Sequence, residues 1–192
     1  MKIKRLSSAL LAATVLFSTP VLADQYLIDT KGAHAFIQFR IQHLGYSWLS
    51  GRFNTFGGRF EYDEKQPEKA TVQVTIDTAS IDSNHAERDK HLRGEDFLHV
   101  KEFPQARFVS TAFKPHADGT ATLEGKLTLH GVTKPLSLAV EHVGHGQDPW
   151  GGYRRGFEGV TRIALADYNL NYNLGPKSKE VELTLSVEGV RQ

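Results

Sequence analysis

The sequence predicts an all-β domain of eight antiparallel strands with one short helix. Three observations carry this. Apolar and polar residues alternate with period two along most of the chain, glycine- and proline-bearing segments punctuate the runs, and a single polar stretch carries helix-capping chemistry. In the first strand Ile37, Phe39 and Ile41 alternate with Gln38, Arg40 and Gln42. The second runs near 51–62, with a bulge expected at Gly57-Gly58. Val72, Val74 and Ile76 mark the third strand, and residues 106–113, after Pro104, the fourth. Leu123, Leu127 and Leu129 mark the fifth, and Leu136, Leu138 and Val140 the sixth. Phe157, Ile163 and Leu165 lie in the seventh, and Val181, Leu183, Leu185 and Val187 in the eighth. Asp118-Gly119 suits a tight hairpin, and 130–135 reads as a short loop whose proline delays the next strand. Two long connections remain, 80–105 and 144–156.

The helix falls in the first of these. Asn84 can cap it with Glu87 as the reciprocal partner, and Gly94 is placed to stop it. Glu87/His91 and Asp89/Arg93 have the spacing of favourable pairs on one helix face. Ala86 and Leu92 supply nearly all its apolar area, so it reads as a cap over the domain.

One-sided strands must bury one face together. A closed barrel and a two-sheet sandwich both do so, and alternation does not separate them. An eight-stranded barrel can be filled by side chains or can hold one small ligand. Gly125, Gly159 and Thr161 fall on inward positions, which hints at unfilled volume; a bulge or close backbone approach explains the glycines equally well.

Composition narrows the function. The chain has 192 residues, 40% hydrophobic and 23% charged, which describes one folded domain. Lys2, Lys4 and Arg5 precede an apolar stretch, Leu6–Phe17, then Pro20 and Val21-Leu22-Ala23. This is the pattern of a secretory signal with cleavage expected after Ala23, leaving residues 24–192 as a soluble exported domain, periplasmic in a Gram-negative host. No later apolar run is long enough to span a membrane. Removing residues 1–23 leaves 20 basic residues against 22 acidic, which argues against nucleic acid as a partner. The absence of cysteine excludes disulfides, thiolate metal sites and cysteine nucleophiles.

Catalytic signatures are missing: Gly45-Tyr46-Ser47-Trp48-Leu49 fails the nucleophile-elbow pattern at its last position, and no phosphate loop or dinucleotide fingerprint occurs. Nine histidines invite a metal reading, but His142-x-x-His145 and the scattered remainder do not assemble three or four ligands by spacing, so no metal site is assigned. Within the polar segment His85–Arg93, the His85–His91 block supports a rival reading as an envelope metallo- or acid/base hydrolase. In the same segment His85, Arg88 and Leu92 share a face; if that face turns inward, Arg88 needs a partner, which His85, Asp89 or a polar ligand head could supply. The segment Tyr46–Leu49, aromatic and bounded by Gly45 and Gly51, could be a gate or a partner surface on a filled barrel.

Several motifs together resemble the YceI family of lipid- and polyisoprenoid-binding proteins. They are His34-Ala35-Phe36, His43-Leu44-Gly45, Gly51-Arg52-Phe53 with Phe56-Gly57-Gly58, His85–Arg93 with Asp96-Phe97-Leu98, Phe103-Pro104 with Phe108, Gly125-x-Leu127-Thr128-Leu129-x-Gly131-Val132-Thr133-Lys134-Pro135, Asp148-Pro149-Trp150-Gly151 and Gly156-Phe157. The resemblance implies a lipocalin-like, eight-stranded antiparallel barrel with a helical cap, an apolar pocket for a long-chain isoprenoid or similar amphiphile, often a homodimer, and no enzyme. A lipid or quinone-like molecule is then the expected occupant, with no cofactor. Strand parity nominates Ile37, Phe39, Ile41, Val74, Ile76, Leu123, Leu127, Leu138 and Ile163 as pocket walls. His85, Arg88 and Asp89, and after them Arg40 and His43, are the candidates for head-group contacts at the mouth.

Overall fold

The computed structural model describes residues 23–192; the expected signal segment lies outside the described residues except for Ala23. Eleven strands and one helix follow in the order β1 (Asp24–Ile28), β2 (Phe36–His43), β3 (Ser47–Phe53), β4 (Phe56–Tyr62), β5 (Thr71–Asp77), β6 (Ile81–Asp82), α1 (Ala86–Leu92), β7 (Gln105–Pro115), β8 (Thr120–Leu129), β9 (Val132–Gln147), β10 (Tyr153–Ala164) and β11 (Glu180–Arg191). All pairings are antiparallel.

The eleven strands make eight staves of a closed barrel. β11 pairs with β1 through its last residues (Tyr26 opposite Arg191) and with β2 through its first (Ile41 opposite Val181), so β1 and β2 are one stave interrupted by residues 29–35. β3 and β4 likewise form one stave, because β2 pairs with β3 where β1 pairs with β4. β5 and β6 share a third, broken by the turn Thr78–Ser80. β7 to β11 then follow in sequence order, and the β11–β1 seam closes the ring. Closure settles the choice between barrel and sandwich. It removes most of the sheet's edges, although β3 meets only the two residues of β6 on its far side and keeps an unpaired edge over 47–51.

Several expectations are corrected. The bulge expected at Gly57-Gly58 is absent, as both residues pair in register with Thr75 and Val74. A Cβ on Gly58 would lie 3.0 Å from the Cα of Val74, so glycine serves a close backbone approach there. Register shifts occur instead at Ser110/Ala112 and Gly156/Phe157. The loop expected over 130–135 shrinks to His130-Gly131, both at positive φ (49° and 74°), and Pro135 lies inside β9 opposite Lys126. β9 continues to Gln147, which reduces the second long connection to the turn between β9 and β10. β1 was not expected: Leu27, exposed on the outer face, blurs the alternation of inward Tyr26 and Ile28.

The helix is present with different chemistry at its ends. Asn84 takes a left-handed conformation (φ 61°), which asparagine tolerates, and His85 becomes the cap, its Nδ1 accepting from the Arg88 N–H at 3.2 Å. Neither expected intrahelical pair forms. His91 Nε2 meets Asp96 Oδ2 at 3.3 Å, Asp89 accepts from the backbone N–H (2.8 Å) and hydroxyl (2.5 Å) of Ser83, and Arg93 donates to the Ala79 and Ile81 carbonyls. These bonds tie α1 to β6 and fix it over one end of the barrel.

Candidate functional site: an apolar channel along the barrel axis

Alternation sends one side chain in two into the barrel, and these side chains do not fill it. A cavity of about 490 Å³ runs along the axis, within the range of small-molecule sites of roughly 300–1,000 Å³. All nine nominated wall residues, Ile37, Phe39, Ile41, Val74, Ile76, Leu123, Leu127, Leu138 and Ile163, line it. Gly159 and Thr161 also face it and leave room that larger residues would take. Gly125 does not: a Cβ there would run into the Phe108 ring, so it accommodates a packed aromatic instead of leaving space.

One end opens. His43 and His91 are exposed and Tyr172 is half-exposed, and all three line the cavity. They come from the β2–β3 hairpin, from α1 and from the segment between β10 and β11. Tyr172, Phe97 and His91 pack together, with Phe97 and Tyr172 centroids 4.8 Å apart and His91 edge-on to both. Ser178, buried, donates to the Gln42 carbonyl at 2.5 Å and ties the β10–β11 segment to the hairpin.

The mouth candidates divide. Arg88 and His43 line the cavity. Arg88 donates through Nε to Ser83 Oγ (2.8 Å) and through Nη2 to the Ser83 carbonyl (2.6 Å), leaving Nη1 without a protein partner among the described residues. Its partner is thus Ser83, which alternation did not single out, and not His85. Three candidates are misplaced. Arg40 points outward, bonded to Glu182 and stacked 4.4 Å from the Trp48 ring centroid. His85 is occupied as the helix cap on the surface, and Asp89 is buried beneath the helix holding Ser83. Asp89 acts on the mouth only by fixing the hydroxyl that orients Arg88.

The other end is sealed by a polar cluster. Arg155, 3% exposed, donates to Tyr26 Oη (3.4 Å), to His142 Nε2 (3.2 Å) and to Glu64, and lies 4.6 Å from the Tyr62 ring centroid. Burial, and then the guanidinium beside it, holds the His142 pKa below the ordinary histidine value. Arg155 was overlooked, although it shares inward parity with Phe157, Gly159, Thr161 and Ile163; it is the one charged residue in that row.

On the outer wall Arg154 binds Asp29 (2.7 Å), Asp148 (2.6 Å) and Glu188 (2.5 Å). His34 joins Asp29 and Glu188 there, the only group of three potential metal ligands among the described residues. The guanidinium already occupies the centre of this acidic group, and its hydrogen bonds lower the Asp29 pKa to about 2.

The channel and its barrel define a binding fold of the lipocalin type. The chain belongs to the YceI family, matching the YceI-like domain over residues 26–189. A UPF0312 protein of Shewanella sp. strain W3-18-1 is 53% identical over 189 residues, covering 98% of this chain and 99% of the relative. The crystal structure of a Campylobacter jejuni YceI protein superposes with a TM-score of 0.71 at 26% identity, covering 79% of this chain and 90% of that one. A polyisoprenoid-binding domain from Saccharophagus degradans shares the barrel, with a TM-score of 0.63 at 17% identity over 90% of this chain and all of the other.

Proposed function

We propose that this protein binds a long-chain isoprenoid or similar amphiphilic lipid inside the barrel and acts as an exported carrier, store or scavenger. The apolar channel, open at one end, carries the reading. Each buried CH₂ contributes about 0.8 kcal/mol, so ten of them supply about 8 kcal/mol gross, enough for micromolar affinity after ordering. Aliphatic walls discriminate poorly between chains, so head-group preference falls to Arg88 Nη1 and His43 at the mouth. The likeness to the polyisoprenoid-binding domain supports a barrel suited to such a ligand. The signal pattern of residues 1–23 supports a carrier that works outside the cytoplasm, in the periplasm if the host is Gram-negative.

The protein is read as a binder, not a catalyst. The residues a hydrolase would draw from the 85–91 block are committed to structure: His85 caps the helix, Asp89 holds Ser83, and His91 packs in the mouth aromatics. Native mass spectrometry of protein purified from its own host tests the proposal. A bound species of lipid mass, released by solvent extraction, is the expected result; an occupant-free protein that also takes up no isoprenoid in vitro refutes it.

A further inference from the structure

The apolar residues left outside the barrel are not scattered. At the mouth, Leu44 is 51% exposed, Tyr46 86% and Trp48 46%. They lie on one hairpin tip beside the channel opening. The turn closes with the Tyr46 N–H donating to the His43 carbonyl (2.9 Å), and its two central residues, Leu44 and Gly45, have φ of 54° and 85°. Asparagine or glycine is the favoured first residue of such a turn; this chain presents leucine there. Tyrosine and tryptophan beside an aliphatic side chain match the interfacial zone of a bilayer, where one end of the ring is apolar and the other wet.

The unpaired charge packed against the tip is cationic. Lys177 packs against Gly45, and Lys179 follows two residues on; both are exposed, and neither has an ion-pair partner among the described residues. The nearby acids are already engaged, Glu182 by Arg40 and Arg162, and Glu180 by Arg162. The opposite end offers a contrast. Trp150 is 78% exposed there, but it stands over Arg154, which three carboxylates surround. An anionic surface is attracted by the cations at the first end, whereas the cation in contact with Trp150, Arg154, is already paired.

We propose that the mouth end docks on an anionic lipid bilayer, with Leu44, Tyr46 and Trp48 entering the interface and Lys177 and Lys179 meeting acidic head groups. The channel then opens at the membrane surface, and an insoluble ligand passes between bilayer and barrel without crossing water. The inference goes beyond the carrier reading and stands on surface residues that the cavity does not use.

The two tryptophans lie at opposite ends, which makes the test direct. Trp150→Phe leaves Trp48 as sole reporter, and Trp48→Phe leaves Trp150. Each is mixed with phosphatidylcholine vesicles and with vesicles containing phosphatidylglycerol. Docking predicts a blue shift of Trp48 emission with the anionic vesicles, quenching by brominated lipid, reversal in high salt, and no change for Trp150. Lys177→Glu with Lys179→Glu weakens vesicle binding by about tenfold or more. Leu44→Asn with Tyr46→Ser does the same while keeping a turn residue the hairpin favours; thermal unfolding verifies the fold. An unshifted Trp48, an equal shift of Trp150, or a Trp48 shift that follows protein concentration without vesicles overturns the proposal, the last assigning the tip to a second copy of the chain. Lipid extracted from the same preparations reports separately on the carrier reading, so either idea can fail alone.

Discussion

Arg155 donates to the unprotonated Nε2 of His142 at 3.2 Å, and this contact requires a neutral imidazole. Arg155, His145, Glu64 and the Phe157 ring surround it; Glu64 and the Gly144 backbone favour its charge, and burial and Arg155 outweigh them. The folded-state pKa of His142 lies below the unfolded value near 6.5, so the unfolded chain binds the proton first. Native stability therefore falls as pH drops below about 6.5. His142→Gln is expected to flatten this loss between about pH 6.5 and 5, measured by urea unfolding across that range. Arg155→Met is expected to raise the His142 pKa toward the ordinary value, followed by NMR titration of the ring.

Arg154 gives a second acid limit, of different origin. It holds Asp29, Asp148 and Glu188 together, and Asp29 titrates near 2 when folded against 3.8 when free. A lowered carboxylate pKa stabilises the fold above the free value, and that contribution disappears as pH falls from about 4 to 2. Arg154→Ala should lower stability at pH 7 by about 2 kcal/mol, since three carboxylates lose their common donor. Denaturation at pH 7 and pH 2.5 checks this: the gap between wild type and variant should shrink at the lower pH.

Thr161 and Gly159 face the channel without filling it. Thr161→Trp is expected to occupy the lumen and reduce bound isoprenoid by at least about tenfold. The fold should persist, because the added ring enters existing space. Titration with a fluorescent isoprenoid, beside a thermal melt, separates the two effects.

Arg88 should govern head groups and not tails. Arg88→Met removes the free Nη1 at the mouth and retains an aliphatic stem. Affinity for a phosphorylated or carboxylated isoprenoid should fall by about tenfold, consistent with one charged hydrogen bond, while affinity for the uncharged chain stays within about twofold. Competition binding with the matched pair of ligands measures it.

Much of the barrel was legible because period-two patterning is strong wherever one face meets the channel and the other meets water. Ile37, Phe39 and Ile41 show it, and so do the inward residues of β8. The pattern fades where both faces are mixed. β1 was missed because Leu27 is apolar and exposed, and the end of β9 because Gly144, His145 and Gly146 read as the start of a connection. The wall of the site followed from parity alone. Its mouth did not: whether Arg40 or Arg88 reaches the channel depends on which way a strand faces and where Ser83 stands, and neither is written in spacing. Arg155 could have been found by parity, since an arginine inside an inward row demands buried partners; Tyr26 and Glu64, its partners, lie far away in sequence.

The β11–β1 seam joins Tyr26 to Arg191, nearly the two ends of the described chain. A ring whose last bond links its first stave to its last cannot shut while the polypeptide is still emerging. Until then the greasy interior stays open along its length, and contacts this distant in sequence form slowly. The nascent molecule thus depends on β11 to hide its lumen, and a chain lacking that one strand should aggregate instead of folding to a smaller version of itself.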